Sequence, residues 1–371
     1  MKRIFITGGT GFFGKSILAK LSLSITTPPP YGRSASDLPR SSADGRSAQP
    51  HPQSSADGRS AIGQYTILSR NPAAFRAANP QFANLPFVSW AQGDVRDFDF
   101  SNIAGDFDAI IHAATPAVTD LADDEMTSII VEGTRHVIDF AHTRHIPTIL
   151  FTSSGAVYGQ QPAPVTEDAP CLPATAYGKG KLAAERMLLD SGLDVRIARC
   201  FAFTGPYLNR RIHYAIGNFI QDVLDDKPII IKGDGTPMRS YLYADDLIDW
   251  LFAILAHGTP GCIYNVGSPE AISIRDLAFA VCTALGGTNE IKILGTPTGS
   301  LPQIYVPDTT HIEAELDVHA TVNLAEAIRR STYAPQHNAA TLSDRKIKAL
   351  GWIPTVGLAE GLRRTMATYT A

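Results

Sequence analysis

Short apolar runs separated by amphipathic stretches set the pattern of this chain. Arg3 to Thr7 alternates into a brief buried strand, breaks at a glycine turn, and resumes as a helix through Lys15 to Leu23. Strand-like runs follow at Tyr65 to Leu68, Phe87 to Ser89, Ala109 to His112, Thr148 to Thr152 and Val195 to Arg199. Helix-like segments stand between them, including Thr127 to His142 and Lys179 to Leu189. Such alternation predicts an α/β fold, a parallel sheet covered by helices. After Gly205-Pro206 the pattern becomes mixed helices, short strands and turns, which predicts a smaller region capping the sheet.

Two repeats interrupt this order. Residues 28–63 are rich in Ser, Pro, Gly, Ala and Arg, and Gly-Arg-Ser-Ala recurs there at Gly32, Gly45 and Gly58. With almost no large apolar groups the stretch cannot bury a core, so its composition predicts a disordered surface insertion, with partner binding as the minority alternative. Near the end, the ten residues from Thr321 to Arg330 echo those from Thr355 to Arg364, predicting two closing helices of similar character.

Composition narrows the classes. The 371 residues are 44% hydrophobic and 18% charged, enough for one large or two moderate domains. A formal net charge of -4 gives no broad basic field, so nucleic acid and anionic membranes are not expected partners. The four cysteines, Cys171, Cys200, Cys262 and Cys282, form no CxxC pair, which fits reduced thiols and no metal site. The opening apolar run breaks too early for a signal peptide, no run suits a membrane span, and a cytoplasmic location is expected.

Candidate chemistry begins in the first turn. Gly8, Gly11 and Gly14 follow a strand and open a helix, where missing side chains let a backbone approach a pyrophosphate at the helix N-terminus. The same stretch also spells Gly9-x-x-x-x-Gly14-Lys15-Ser16, the phosphate loop of ATP- and GTP-binding proteins. Only one of these readings can hold. Later, Ser154 ends a strand, and Tyr177 and Lys181 lie four apart at a helix start. That spacing stacks phenol and ammonium on one face, where the cation would favour the ionised phenol as a base. Gly178 and Gly180 each cost a helix roughly 1 kcal/mol relative to alanine, so close approach is expected at both.

These residues resemble the extended branch of the short-chain dehydrogenase/reductase superfamily, specifically the nucleotide-sugar epimerases, dehydratases and reductases. The resemblance implies a Rossmann-type doubly wound parallel sheet over residues 1–199 that binds NAD or NADP. Residues 200–371 are then mainly a smaller α/β substrate-binding region. It implies that Gly8, Gly11, Phe12, Phe13 and Gly14 cradle the cofactor, with Arg70 at the end of the second strand. It further implies that Asp94 and Val95 contact the adenine, and that His112, Ala113, Ala114 and Thr115 line the cleft. Ser154, Tyr177 and Lys181 become the catalytic set, Lys181 also holding the cofactor. Ser154, Tyr177 and Arg239 would meet a nucleoside-diphosphate sugar, Arg239 through its phosphate, and a homodimer is expected.

Departures shape the reaction. Ala202 replaces the usual asparagine, Gly180 a common serine, and Gly155-Ala156 lack the acidic pair of 4,6-dehydratases, which discounts dehydration. Ser69-Arg70-Asn71 lacks the acid of NAD-preferring members, a hint of NADP. The expectation is therefore a C4 epimerase working through a transient keto sugar. The alternatives are an NADPH-dependent 4-ketoreductase of a 4-keto-6-deoxy sugar, a non-catalytic NAD(P)-binding protein, and a phosphate-loop ATPase.

Overall fold

The computed structural model describes residues 3–26, 63–116, 121–161, 163–212, 214–296 and 302–332. The repeat insertion, apart from Gly63, and the second copy of the closing repeat lie outside the described residues.

Six strands come in chain order: β1 (Arg3–Thr7), β2 (Gln64–Ser69), β3 (Val88–Gln92), β4 (Ala109–His112), β5 (Thr148–Ser154) and β6 (Asp194–Cys200). The four helices that matter most for the site are α1 (Phe12–Thr26), α2 (Pro72–Ala78), α3 (Asp123–Thr143) and α4 (Ala176–Leu189). With the strand Ile263–Val266, the six strands make a seven-stranded sheet in the order Ile263–Val266, β6, β5, β4, β1, β2, β3, parallel throughout. This is the expected doubly wound sheet. The third strand sits slightly later than Phe87 to Ser89, because Phe87 serves as a core anchor at its entry.

All seven residues of β5 are buried, as a strand covered on both faces requires. One face packs Ile17 and Leu18 of α1 with Trp250, Leu251 and Ile254 of the helix Ala244–His257. The other face buries Ile130, Val137 and Phe140 of α3 with Ala184 and Leu188 of α4. Each buried Ile, Leu, Val or Phe among them contributes about 1.5–3 kcal/mol on leaving water. The chain beyond residue 200 therefore returns to the sheet, adding both an edge strand and a covering helix.

A separate core of Ile216, Phe219, Ile220, Leu277 and Val281 holds the capping region together. Its strands are two or three residues long; Met238–Arg239 pairs with both Ile272–Ser273 and Ile304–Tyr305. Of the closing repeat, the first copy forms the helix Leu324–Thr332, whose Ile328 enters this core. Because β1 pairs β2 on one side and β4 on the other, strand order reverses there. The carboxyl ends Thr7, His112 and Ser154 lie on the side of the sheet where open α/β folds bind ligands at such a switch point.

Candidate active site

The glycine turn is built by close backbone approach. Gly8 has φ +73°, and a Cβ there would stand 2.2 Å from the Ala113 carbonyl oxygen. A Cβ on Gly14 would meet Gly9 at 2.1 Å, whereas one on Gly11 finds its first neighbour only at 3.5 Å. Gly8 and Gly14 are thus fixed by packing, whereas Gly11 has room around it. Phe12 and Phe13 open α1, their rings 5.9 Å apart, and Phe13 packs edge-on against Phe203.

Across the switch point, His112 is a structural residue. Its Nδ1 shares a proton with Thr7 Oγ1 at 2.7 Å and its Nε2 with Thr134 Oγ1 at 3.0 Å. Burial, with a smaller effect from Lys181, pushes its pKa down to about 3, so the ring stays neutral. Ala113 and Ala114 follow half-buried, and Thr115 Oγ1 is shut from solvent with no hydrogen-bond partner among the described residues. An orphaned hydroxyl beside a glycine cradle is what a bound dinucleotide would satisfy. The cleft fits such a cofactor. Asp94, expected at the adenine, accepts hydrogen bonds from Arg96 Nε at 2.9 Å and from the Arg96 backbone at 3.1 Å. Against the burial that works the other way, these hold its carboxyl below the usual range. Val95 is buried beside it. Arg70 lies exposed at the end of β2.

The catalytic candidates meet at the far end. Ser154 closes β5 and caps the following turn, its Oγ accepting the Ala156 N–H at 3.1 Å. Thr175 caps α4 by accepting the Gly178 N–H at 3.1 Å, which sets Tyr177 in the first helical turn. Gly178 has the reason expected of it, since a Cβ would meet the Ala156 carbonyl at 2.7 Å. Gly180 does not, because its nearest neighbour, Ile130, leaves ordinary contact distance of 3.5 Å.

Lys181 is only 2% exposed and donates from Nζ to the Thr152 carbonyl at 2.7 Å. The ammonium sits 4.6 Å from the centroid of Phe151 and 6.0 Å from that of Tyr177. Burial draws its pKa down to about 8, opposed by Cys200 and Glu185. The phenol of Tyr177 moves the other way from the sequence expectation. Burial raises its pKa well above the usual range, and the hydrogen bond with Ser154 only partly offsets this. Helical spacing puts the two groups on one face, but Lys181 spends its hydrogen bond on Thr152.

Sequence reasoning missed Tyr305. Its hydroxyl lies 3.4 Å from Ser154 Oγ, and burial pushes its pKa up to about 12. The strand pairing that delivers it joins residues far apart in the chain and left no local motif. Arg239, on the paired strand, lies with its guanidinium 5.7 Å from the Tyr305 ring centroid. It also lines a cleft of about 640 Å³ with Arg210, Arg211, Lys227 and Lys232. Of these, only Arg239 was anticipated. A string of contacts therefore runs from the cationic cleft through Arg239 and Tyr305 to Ser154.

Beneath the site, Glu185 pairs with Arg199 at 2.7 Å, both buried, and accepts the Ser153 hydroxyl proton. Breaking such a pair from one side costs about 3–5 kcal/mol. Among the described residues, no cluster of His, Cys, Asp and Glu could hold a metal ion. No helix among them is long and apolar enough to cross a membrane.

Comparison with known proteins agrees with this architecture. The chain is 26% identical over 252 residues to a dTDP-glucose 4,6-dehydratase of Streptomyces griseus, covering 66% of this chain and 76% of that protein. Its fold is similar to that of a UDP-N-acetylglucosamine 4-epimerase from Methanobrevibacter ruminantium M1, with TM-score 0.72 and 20% identity over 90% of this chain and 97% of the other. It is similar too to a UDP-glucuronic acid 4-epimerase from Bacillus cereus, solved in complex with NAD, at TM-score 0.70 and 21% identity over 90% of this chain and 99% of the other. The family model matches residues 59–267, from the approach to β2 through the last strand of the sheet, and takes in Ser154, Tyr177 and Lys181. The chain belongs to the NAD dependent epimerase/dehydratase family and is an enzyme of that family.

Proposed function

We propose that this enzyme epimerises a nucleoside-diphosphate hexose at C4 through a transient 4-keto sugar. The observation that carries the reading is the continuous path from the cationic cleft through Arg239 and Tyr305 to Ser154 and Tyr177. A diphosphate held in the cleft by Arg239 would direct the attached sugar towards Tyr305 and Ser154. In this reading residues 1–199 hold the cofactor and residues 200–371 mainly hold the substrate.

Gly8, Gly11, Gly14 and Thr115 would hold the dinucleotide, NAD or NADP, and Lys181 its nicotinamide ribose. A nicotinamide bound there would supply a reversible acceptor for the hydride of the sugar. Tyr177 takes the proton of the C4 hydroxyl. Its raised pKa means the buried cleft alone disfavours the phenolate. Positive charge brought by the oxidised cofactor, added to that of Lys181, supplies what the protein alone does not. Ser154 donates to the same oxygen as charge develops on it, held for that task by the Ala156 N–H. Tyr177 would give the proton back to the C4 oxygen when the keto sugar is reduced from its opposite face, which would yield the C4 epimer. Gly155 and Ala156 provide no carboxylate beside Ser154, so elimination of water has no acid there.

A second reading, an NADPH-dependent 4-ketoreductase, uses the same residues for half of this cycle and is favoured by Arg70. Incubating the purified chain with UDP- and dTDP-hexoses and separating the products tests the assignment. Interconversion of C4 epimers without added reductant is expected. Failure to turn over any of them would overturn the epimerase reading, and reduction of a dTDP-4-keto-6-deoxy sugar at the expense of added NADPH would put the ketoreductase in its place.

A further inference from the structure

Helix α4 meets the end of β5 at three successive positions of one stripe. Tyr177, Lys181 and Glu185 are spaced four apart, so they stack on one face of the helix. Each is bonded to one of the last three residues of β5. The Tyr177 phenol bonds Ser154, the Lys181 ammonium donates to the Thr152 carbonyl at 2.7 Å, and the Glu185 carboxylate accepts the Ser153 hydroxyl proton. The first two contacts hold the proposed catalytic groups. The third has no part in the proposed chemistry.

Glu185 is only 1% exposed, and a carboxylate so buried is costly unless paired. Arg199 clasps it from the neighbouring strand, donating from Nε to Oε1 at 3.0 Å and from Nη2 to Oε2 at 2.7 Å. Arg199 and Ser153 are direct partners in the register of β5 and β6, so both side chains leave the sheet on the face that α4 covers. The guanidinium is itself held, its Nη1 donating to the Glu167 carbonyl at 3.3 Å while it lies 4.7 Å from the centroid of the Tyr158 ring. A polar network satisfied in this way is rigid. It also faces Lys181. Around that ammonium stand Phe151 and Thr152 of β5, Tyr177 and Glu185 of α4, His112 of β4 and Cys200 of β6. Burial keeps His112 neutral, its pKa pushed down to about 3, and keeps the Tyr177 phenol and the Cys200 thiol protonated, the thiol pushed up to about 12. Burial draws the Lys181 pKa down to about 8, and of the two groups that oppose this, Cys200 and Glu185, only Glu185, ion-paired to Arg199, carries negative charge near neutrality.

We propose that Glu185 is a positioning residue: clasped by Arg199 and Ser153, it fixes the setting of α4 on β5 that brings Tyr177 and Lys181 to Ser154, and it supplies the negative charge that the Lys181 ammonium faces. This rests on the roles given to Tyr177 and Lys181 above. A helix free to rotate slightly about its axis would carry the phenol away from Ser154, and a displacement of about 1 Å at reacting groups costs on the order of 10²-fold in rate. The third contact of the stripe prevents that rotation from a point that touches neither cofactor nor sugar.

The test combines turnover with a readout that needs no substrate, both on the full chain. Glu185→Gln keeps the shape of the side chain but strands a buried guanidinium. Glu185→Leu combined with Arg199→Met replaces the pair by apolar side chains and strands no charge, so it is the control for folding. Both should lower kcat by about 10–100-fold while KM for the nucleotide sugar stays within about threefold, and the double variant should melt close to the wild-type temperature. A double variant that regained kcat together with stability would make Glu185 a structural part only and overturn the proposal. In parallel, nitrogen NMR of lysine-labelled protein follows the Lys181 ammonium, identified by its absence from Lys181→Met. Its titration midpoint should fall by about one pH unit or more in Glu185→Gln, and by less in the double variant. A midpoint unmoved in the variants that fold would overturn the proposal as well. If the wild-type chain turned over no nucleotide sugar, the epimerase reading would fall, and the titration would still decide whether Glu185 acts on Lys181.

Discussion

The proposed catalytic corner and the cationic cleft beside it are organised by opposite means. At the corner, Ser154, Lys181 and Tyr305 are buried or packed deep, and each polar atom already has a protein partner. In the cleft, Arg211, Lys227 and Lys232 are open to solvent, and the walls also carry Asp222 and Asp225. On the proposed assignment, the chemistry is held in place before any ligand arrives, while substrate binding draws on screened and partly balanced charge. Substitutions at the corner should therefore act on kcat, and those in the cleft on KM and its salt dependence.

The largest effect that would sharpen this contrast is Tyr177→Phe. Turnover should fall by roughly 10²–10⁴-fold with dinucleotide affinity unchanged, as measured by single-turnover kinetics and calorimetry. Near-normal turnover would remove Tyr177 as the base.

Lys181→Met comes next, with a turnover loss of about 10²-fold and a signature in stability. The folded-state pKa of Lys181 is about 8 against an ordinary 10.5, so burial destabilises the charged form in the folded chain. Below about pH 8 the wild-type chain bears that cost in full. As pH rises from about 8 towards 10.5 the unfolded chain holds more protons, and the cost disappears. The variant should melt higher than wild type at pH 7, with the gap closing across that window. A gap that widened there would contradict the buried, partly desolvated ammonium.

In the cleft, Arg239→Ala should raise KM by roughly 10–100-fold with a smaller change in kcat, and added salt should shrink the difference. A loss confined to kcat would break the division of labour between the two regions. The smallest effect is expected of Tyr305→Phe. Removing a hydroxyl that shares Ser154 at 3.4 Å should change kcat by about threefold, visible as a shift in the pH–rate profile without a matching change in KM.

The same contrast governs what the sequence revealed. Strands β1 to β6 have apolar runs long enough to read, and the glycine turn, Ser154, Tyr177 and Lys181 sit at their ends or at a helix start. The helical cost of glycine anticipated a close approach at Gly178, where one is found, and at Gly180, where none is. It could not predict that Lys181 would turn to the Thr152 carbonyl, because that partner lies on another element. Nor could it reveal Tyr305, which a two-residue strand brings beside Arg239. The cleft was legible only at Arg239, since its remaining cations come from a turn at Arg210 and Arg211, a loop at Lys227 and a bend at Lys232, whose meeting is set by the core around Phe219 and Leu277.

The most direct test of the central claim follows the hydride. The purified chain with its cofactor is given a UDP- or dTDP-hexose carrying deuterium at C4, and the product is read by NMR. The account predicts the C4 epimer with deuterium retained at C4 and no net change in reduced nicotinamide. Product that forms only as added NADPH is consumed, or a 4-keto-6-deoxy sugar released as the end product, would contradict it.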